Sequence, residues 1–353
     1  MKAVCKSTTW LAAVLCTLAA GSASAQKAKE QVSAPIQLTA AQMRAAAREN
    51  PVGGSAAAVM SFAAPAIDRS SGNVGAPALK LSDRMELANR QMAGDAAAAA
   101  GAAASNIFNS AAAPLLDAMQ SPNPNVIVGG QTWLRVTDTR AAPYKSVCYV
   151  ETTWPNGSVT IGTASFAHPR ILLSNAHIVW SRARGGWAKW IRVVPGKNGS
   201  SEPFGSQYST YYEVPREWTT GSEGNRDFDI SWIVLPNRTL FNRVGYAFGY
   251  KTMTNASLTT IDLNMSGYPG SKAGQQWREF VTTNQVVFTN QYRHFFDTVG
   301  GSSGSPMYQL TGGLRYVVGV NCAEVTSSPV YNIATRMTSR YFDTTQRLNR
   351  TYP

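Results

Sequence analysis

From about Val126 to the C-terminus, short runs of β-type residues alternate with turns, and this pattern restricts the fold more than any other feature. Val, Ile, Thr and aromatic residues dominate the runs, while Gly, Pro and Asn punctuate them. The runs are SVCYVETTW, SVTIGTASF, RILLSNAHIVW, WIRVVPG, DISWIVL, LTTIDLNMSGYPG, REFVTTNQVVFT and LRYVVGVNC. Many strands at this spacing predict an all-β domain, either a sandwich or a pair of barrels. Only the tail, ATRMTSRYFDTTQRLNR, has helical periodicity, so we expect one C-terminal helix.

The first 25 residues, MKAVCKSTTWLAAVLCTLAAGSASA, have the features of a secretory signal peptide. Lys2 and Lys6 precede an apolar stretch over Trp10–Ala20, and a small-x-small sequence ends at Ala25. The apolar stretch is too short to span a membrane permanently. We therefore expect an exported protein, extracellular or periplasmic, without membrane insertion.

Residues 26–125 differ in composition from residues 126–353, since they are rich in alanine and contain no cysteine or tryptophan. TAAQMRAAAREN and LSDRMELANRQMAGDAAAAA predict helices, the second capped by Ser82. A helical or disordered region between a signal peptide and a denser domain predicts a pro-segment; a disordered or wall-associated spacer is the alternative. The predicted domains are thus 1–25, 26–125 and 126–353.

The net charge of +12 would suit a nucleic-acid-binding protein, but the basic residues are scattered singly. Many secreted proteins are basic, so we expect protein or peptide partners, no nucleic acid, and a monomer. Neither a zinc-ligand pattern nor a phosphate-binding glycine loop is present, so no metal or other cofactor is expected. Once the signal peptide is removed, Cys148 and Cys322 remain, and the sequence leaves open whether they form a disulfide.

The stretch DTVGGSSGSPMY, residues 297–308, places small residues around two adjacent serines. A serine nucleophile needs a general base, and His177 stands where an apolar strand breaks into polar residues. His168 lies in a predicted turn, and His294 suits the surface or packing. The base needs an orienting carboxylate: Asp229 directly precedes an apolar run, and Asp227 is its rival.

The order His177, Asp229, Ser303 in a β-rich exported chain predicts a serine endopeptidase. Ser303 would attack the peptide carbonyl, and His177 would accept and later deliver its proton. Gly301 would leave room for the backbone N–H groups of Gly301 and Ser303 to bind the oxyanion. The alternative is a binding or adhesion protein at the cell envelope, built on a peptidase fold that has lost its activity.

NAHIV, DFDISWIVL and GGSSGSPMY resemble the chymotrypsin-like serine peptidases, and most closely their bacterial glutamyl endopeptidase branch. SGYPG and YNIATRMT continue this resemblance, which spans roughly residues 126–345. The resemblance implies two six-stranded β-barrels with the active site between them. It also implies a zymogen cleaved near Asn125–Val126, whose new amino terminus contributes to the working site.

The resemblance further implies a substrate pocket at Thr298, Asn321 and Glu324. Asn321 takes the place of a histidine that in this family helps to bind the substrate glutamate, and an asparagine cannot become cationic. Family members often have glycine where Glu324 falls, and its carboxylate would repel a glutamate. Asp297 has the spacing of the trypsin pocket aspartate, but glutamyl enzymes share it. The sequence therefore leaves the residue preference open.

Overall fold

The computed structural model describes residues 30–49, 125–126, 133–221, 225–282, 286–325 and 331–353. The predicted signal peptide lies outside these residues, as does the helix predicted at 81–100. The other helix predicted in the Ala-rich region is confirmed at Ala40–Glu49. Within the described residues, no helix combines the length and the apolar character needed to cross a membrane.

Strands and helices are numbered in chain order. The strands are β1 Val32–Ser33, β2 Ile36–Gln37, β3 Asn125–Val126, β4 Leu134–Arg135, β5 Val147–Thr153, β6 Val159–His168, β7 Ile171–Ser174, β8 Trp180–Ser181, β9 Gly186–Trp187, β10 Trp190–Pro195, β11 Gln207–Ser209, β12 Tyr211–Glu213, β13 Ser231–Val234, β14 Tyr246–Ala247, β15 Gly249–Lys251, β16 Asp262–Gly267, β17 Trp277–Thr282, β18 Val286–Val287, β19 Gln291–His294, β20 Thr298–Val299, β21 Pro306–Thr311, β22 Leu314–Val325 and β23 Tyr331–Arg336. The helices are α1 Ala40–Glu49, α2 Ala176–Val179, α3 Arg216–Thr220, α4 Thr239–Val244, α5 Asn255–Leu258 and α6 Ser339–Thr351.

The first half of the predicted β domain forms an antiparallel sheet in the order β11-β10-β5-β6-β7-β13-β12. Thr210 alone separates β11 from β12, and these two strands stand at opposite ends of the order. They therefore act as one bent strand that closes the sheet into a six-stranded barrel, which leaves no open sheet edge.

The second half forms a sheet whose main order is β18-β19-β23-β22-β21-β16-β17-β4. β17 and β18 are consecutive strands in the chain and lie near opposite ends of this order. The chain passes from the first barrel to the second through α4, β14 and β15, and β15 pairs in parallel with β22. The two barrels expected from the family resemblance are confirmed.

Alternating side chains of the strands fill three apolar clusters. One fills the first barrel, with Phe166 and Ile233, and another fills the second barrel, with Leu263 and Met307. The third lies between the barrels and contains Trp232, Tyr268, Tyr308, Val320 and Tyr341. Full burial of one such large apolar side chain contributes roughly 1.5–3 kcal/mol, so this third cluster fixes how the barrels face each other.

The predicted C-terminal helix is confirmed as α6, and it packs against the first barrel. Thr338 caps its N-terminus by accepting a hydrogen bond from the N–H of Tyr341. The indole N–H of Trp232 donates to the hydroxyl of Thr345 at 2.8 Å, so the helix also satisfies a buried polar group of β13. Tyr341 and Leu348 are buried on the inner face of the helix.

Cys148 and Cys322 are both buried and free. Cys148 lies on β5 in the apolar interior of the first barrel, and Cys322 lies on β22 of the second sheet. Burial raises the pKa of each thiol, to about 12 for Cys322, so neither is a thiolate at neutral pH.

We expect a protein lacking residues 1–25 to show no thiol reactive toward a disulfide reagent while folded, and two after unfolding in guanidinium chloride. The physical reason is that the two sulfur atoms are buried in separate parts of the fold. The measurement is a colorimetric thiol titration, with the Cys148→Ala variant as control, which should show one thiol after unfolding. No reactive thiol in the unfolded, unreduced protein would contradict the assignment and indicate a disulfide.

Candidate active site

His177 and Asp229 make a two-point contact within the first barrel. His177 lies in α2, one turn of helix that begins directly after β7, and Asp229 follows a turn of 3-10 helix at Arg226–Phe228. The carboxylate contacts His177 Nδ1 through Oδ2 at 2.8 Å and accepts its backbone N–H through Oδ1 at 3.0 Å. These two contacts fix the imidazole ring and leave Nε2 as the atom available to a substrate or nucleophile.

The Asp229 carboxylate is fully buried and has a third donor. Arg226 donates from Nη1 to Oδ2 at 2.9 Å. Burial raises the pKa of the carboxyl, but the hydrogen bonds and positive charge of His177 and Arg226 outweigh it, and the net pKa is below its usual value. Asp229 is therefore ionised at neutral pH, as an orienting carboxylate must be.

Asp227 does not contact His177. Its carboxylate accepts a hydrogen bond from Gln291 Nε2 at 2.9 Å, on the second sheet. The short 3-10 turn separates the directions of the two aspartates, which would point the same way on an extended strand.

The serine loop, residues 300–305, turns sharply at two glycines. Gly301 has φ +95°, and a Cβ there would lie 2.6 Å from the carbonyl oxygen of Tyr268. Gly304 has φ +83°, and a Cβ there would lie 2.5 Å from Ser174 Oγ. Both the left-handed backbone and the lack of space require glycine at these positions.

Thr163 of β6 joins this loop to the first barrel. Its N–H donates to the carbonyl of Ser303 at 2.8 Å, and its hydroxyl donates to the carbonyl of Gly301 at 2.9 Å. Ser174, the last residue of β7, donates from its hydroxyl to the carbonyl of Thr163 at 2.7 Å. Since β7 leads straight into α2, these bonds bring the serine loop to the strand end that carries His177.

The backbone N–H groups of Gly301 and Ser303 donate no hydrogen bond to any group in the part of the chain that the structure describes. Two free N–H groups next to a serine hydroxyl have the chemistry of an oxyanion hole. The hydroxyl of half-buried Ser303 likewise has no partner among those residues. Its hydrogen bond to His177 remains a prediction.

Asn321 lies beneath the serine loop and bonds to it at three points. Its side-chain Nδ2 donates to the carbonyl of Ser302 at 3.0 Å, its N–H donates to the carbonyl of Ser305 at 2.9 Å, and its carbonyl accepts from the N–H of Gly304 at 2.8 Å. Only 3% of the residue is exposed. Its predicted role in the substrate pocket remains a prediction.

His294 holds the Asn321 amide in this orientation. Because the carbonyl of Ser302 can only accept, Nδ2 of Asn321 faces it, and Oδ1 faces His294 Nε2 at 3.1 Å. His294 Nε2 must then carry the hydrogen. Burial lowers the pKa of His294 to about 4, although its bond to Asn321 raises it slightly, so the ring is neutral at pH 7. Of the two alternatives that the sequence left for His294, the surface and packing, the structure shows packing, because the residue is fully buried.

The other predicted pocket residues lie close to the serine loop in sequence or on β22. Thr298 is buried on β20, where its backbone pairs with Val126 of β3. Asp297 is also buried, and its N–H donates to Glu279 Oε2 at 2.9 Å. Glu324 pairs with Asn332 through the backbone of β22, and its side chain lies outside the described residues. The roles of Thr298 and Glu324 remain predictions.

Four residues support this arrangement in ways that the sequence did not predict: Arg226, Thr163, His294 and Asn321 as a loop anchor. Arg226, three residues before Asp229 in a turn, gives a weak signal, since a basic side chain there can reach the carboxylate. Thr163 is one of several threonines in the middle of strands, so nothing in the sequence marks it as a contact of the serine loop. Among the described residues, no three His, Cys, Asp or Glu side chains form a group able to hold a metal ion.

Several known proteins are similar to this chain. Glutamyl endopeptidase from Bacillus licheniformis is 32% identical over 225 residues, which cover 62% of this chain and 67% of its own. Extracellular metalloprotease from Bacillus subtilis is 29% identical over 235 residues, which cover 65% of this chain and 71% of its own. The solved structure of a Glu endopeptidase in complex with MPD superposes with a TM-score of 0.55 and 27% identity, and covers 64% of this chain and 100% of its own. No protein-family model matches the chain.

The fold and these relatives define a chymotrypsin-like serine peptidase. Within that class, the chain belongs to the glutamyl endopeptidase branch, and it is a serine endopeptidase.

We expect His294 to make the protein less stable as the pH falls from 6.5 to 4. In this window the unfolded state binds a proton on residue 294 that the folded state excludes, because the folded pKa of about 4 lies below the ordinary 6.5. One such group lowers the free energy of unfolding by up to about 1.4 kcal/mol per pH unit. The His294→Gln variant, which keeps a donor for Asn321, should have a shallower slope in urea titrations across this window. An unchanged slope would contradict the buried, neutral histidine.

Proposed function

We propose that the chain is an exported serine endopeptidase, made as a zymogen, in which Ser303, His177 and Asp229 carry out catalysis. The observation that carries the proposal is the two-point contact of the buried Asp229 carboxylate with His177. Such a contact has a direct chemical use, because it keeps the proton on Nδ1 and leaves Nε2 free to act as a base.

The proposed reaction has two stages. Ser303 Oγ attacks the peptide carbonyl while His177 Nε2 takes its proton, and the N–H groups of Gly301 and Ser303 stabilise the negative charge on the carbonyl oxygen. His177 then passes the proton to the leaving amine, which leaves an acyl-enzyme on Ser303. Water hydrolyses this ester with His177 again acting as base. Asp229 stays ionised throughout and stabilises the imidazolium.

Export and maturation complete the proposal. The first 25 residues have the pattern of a signal peptide, and one relative carries the word extracellular in its name. Hydrolysis near Asn125–Val126 would free an amine at Val126, whose backbone pairs with Thr298 of the predicted pocket. A purified protein that begins at Gln26, retains an intact chain and is fully active would contradict activation by this cleavage.

We propose that the enzyme discriminates weakly between glutamate and neutral residues on the amino side of the cleaved bond. Asn321 carries no charge, and its amide already bonds to His294 and Ser302. His294, the histidine beside it, is neutral at pH 7 because burial lowers its pKa to about 4.

The Ser303→Ala variant should lose peptidase activity on casein and labelling by an organophosphate. The Ser302→Ala variant is the matched control, because the neighbouring hydroxyl is buried, with 2% of the residue exposed, and cannot attack a substrate. It should still be labelled. Hydrolysis of casein by Ser303→Ala at the parental rate would contradict the assignment. Salt-sensitive binding to polyanions, with no hydrolysis by the unsubstituted protein, would favour a binding protein instead.

Asp229→Asn should lower kcat by about 10⁴, because the amide cannot hold His177 in the required tautomer. Asp227→Asn removes an equal charge two residues away and should leave kcat within about threefold, since Asp227 contacts Gln291 and not His177. Steady-state kinetics on one peptide substrate, with circular dichroism to verify folding, make the comparison. Equal losses in the two variants would assign the effect to charge alone.

Matched peptides with glutamate or glutamine before the cleaved bond should differ in kcat/KM by less than about tenfold at pH 7.5, or about 1.4 kcal/mol. A library digest analysed by mass spectrometry supplies the sequences for this comparison. A preference for glutamate above a hundredfold would contradict weak discrimination and would indicate a cation from elsewhere, such as an amino terminus at Val126.

A further inference from the structure

Residues 30–49, part of the predicted pro-segment, lie along the chain that connects the two barrels. We call residues 30–49 the docking segment and residues 239–254 the connector. The docking segment contains β1, β2 and α1, and the connector contains α4, β14 and β15. The two run antiparallel to each other, as their strand pairing shows.

Two pairs of short strands join the docking segment to the connector. Val32 and Ser33 pair with Lys251 and Tyr250, and Ile36 and Gln37 pair with Ala247 and Tyr246. Further backbone bonds extend these ladders at both ends: the N–H of Leu38 donates to the carbonyl of Gly245 at 2.9 Å, and the N–H of Thr252 donates to the carbonyl of Gln31 at 3.0 Å.

The docking segment also places apolar side chains on the peptidase domain. Ile36 and Leu38 are half-buried and pack against the apolar cluster of the first barrel. Gln37, between them, is exposed. Met43 of α1 lies against Gly245. A Cβ added at Gly245 would lie 2.5 Å from the sulfur atom of Met43. The absence of a side chain at Gly245 therefore makes room for the docking segment.

Polar contacts fix the N-terminal end of the docking segment. Glu30 accepts the N–H of Thr254 at 3.1 Å, and Gln31 Nε2 donates to Asp343 Oδ1 of α6 at 3.1 Å. Within the segment, Thr39 and Gln42 form a reciprocal capping box that begins α1.

None of these contacts involves His177, Asp229 or Ser303, so the docking segment does not occlude the site that we propose as catalytic. The proposed cleavage near Asn125–Val126 is separated from residue 49 by a long stretch of chain, and it breaks none of the contacts above. The cut adds water across one peptide bond, leaving a carboxylate on one fragment and an amine on the other.

We propose that the docking segment stays bound to the peptidase domain after this cleavage, so that the mature enzyme is a two-chain complex. This inference rests on the proposed maturation. Loss of the docking segment would leave β14 without its strand partner among the described residues. It would also unpair the carbonyl of Gly245 and the N–H of Thr252, and expose the apolar surface under Ile36 and Leu38. Unpaired strand edges and exposed apolar surface both favour the bound state.

The test uses the full chain with Ser303→Ala, so that it does not depend on the proposed catalytic activity. A recognition sequence for an added, highly specific endopeptidase is inserted just before Val126, and the protein is cut and passed through size exclusion at micromolar concentration. We expect a fragment containing residues 30–49 to co-elute with the domain at close to one to one, as measured by intact mass. Separation of that fragment from the domain would overturn the proposal.

Ile36→Asp and Gln37→Asp are the matched variants, because they add the same charge at neighbouring positions on opposite faces of the docking segment. Ile36→Asp should reduce the retained fragment at least tenfold, and Gln37→Asp should retain it fully. Equal retention in both variants would overturn the assigned contact face.

If Ile36→Asp fails to fold, amide hydrogen exchange gives an independent measurement. It is made on the chain that carries Ser303→Ala and no substitution at position 36 or 37. Protection of the Leu38 and Thr252 amides should be the same before and after the cut. Loss of that protection on cutting would overturn the proposal, whatever the activity of the unsubstituted enzyme.

Discussion

The buried carboxylate of Asp229 is the constraint around which the candidate site is organised. An ionised group at zero exposure is costly unless donors surround it, and here His177 supplies two contacts and Arg226 a third. The backbone of Asp229 is held as well: its carbonyl accepts from Asn175 at 2.8 Å and from Thr335 at 3.0 Å. Asn175 belongs to the first barrel and Thr335 to the second. The residue that orients the imidazole therefore also ties the barrels together.

The second half of the site depends on how closely two backbones can approach. The serine loop belongs to the second barrel, yet Thr163 and Ser174 of the first barrel fix its position. The close packing around the serine loop requires glycine at positions 301 and 304, because a side chain at either position would collide with main-chain or strand atoms. Asn321 and His294 support the loop from the opposite side. The loop is thus held between the barrels, while Ser303 remains partly exposed.

The same close approach recurs at the connector. Gly245 ends α4 with φ +66° and lies against Met43 of the docking segment, so one glycine both terminates a helix and admits a neighbouring chain. The sequence predicted an Ala-rich pro-segment with helices, but no contact between it and the β domain. In the structure its first part has specific partners on a face of the domain that does not include the candidate site. The contacts of residues 30–49 are made with the connector, the first barrel and α6, and none involves His177, Asp229 or Ser303.

The sequence by itself determined the fold class, the C-terminal helix and the types of residue at the site. Strand runs, helical periodicity and glycines beside a serine are patterns of neighbouring residues, so they can be recognised in the sequence alone. The tertiary structure shows that Asp229, the aspartate favoured from the sequence, contacts His177 and that its rival Asp227 does not, because a 3-10 turn separates two side chains that an extended strand would align. It alone brought together Thr163 with Gly301, 138 positions apart, and His294 with Asn321, 27 apart. Such pairs depend on how two barrels pack, and no spacing in a single sequence records that packing.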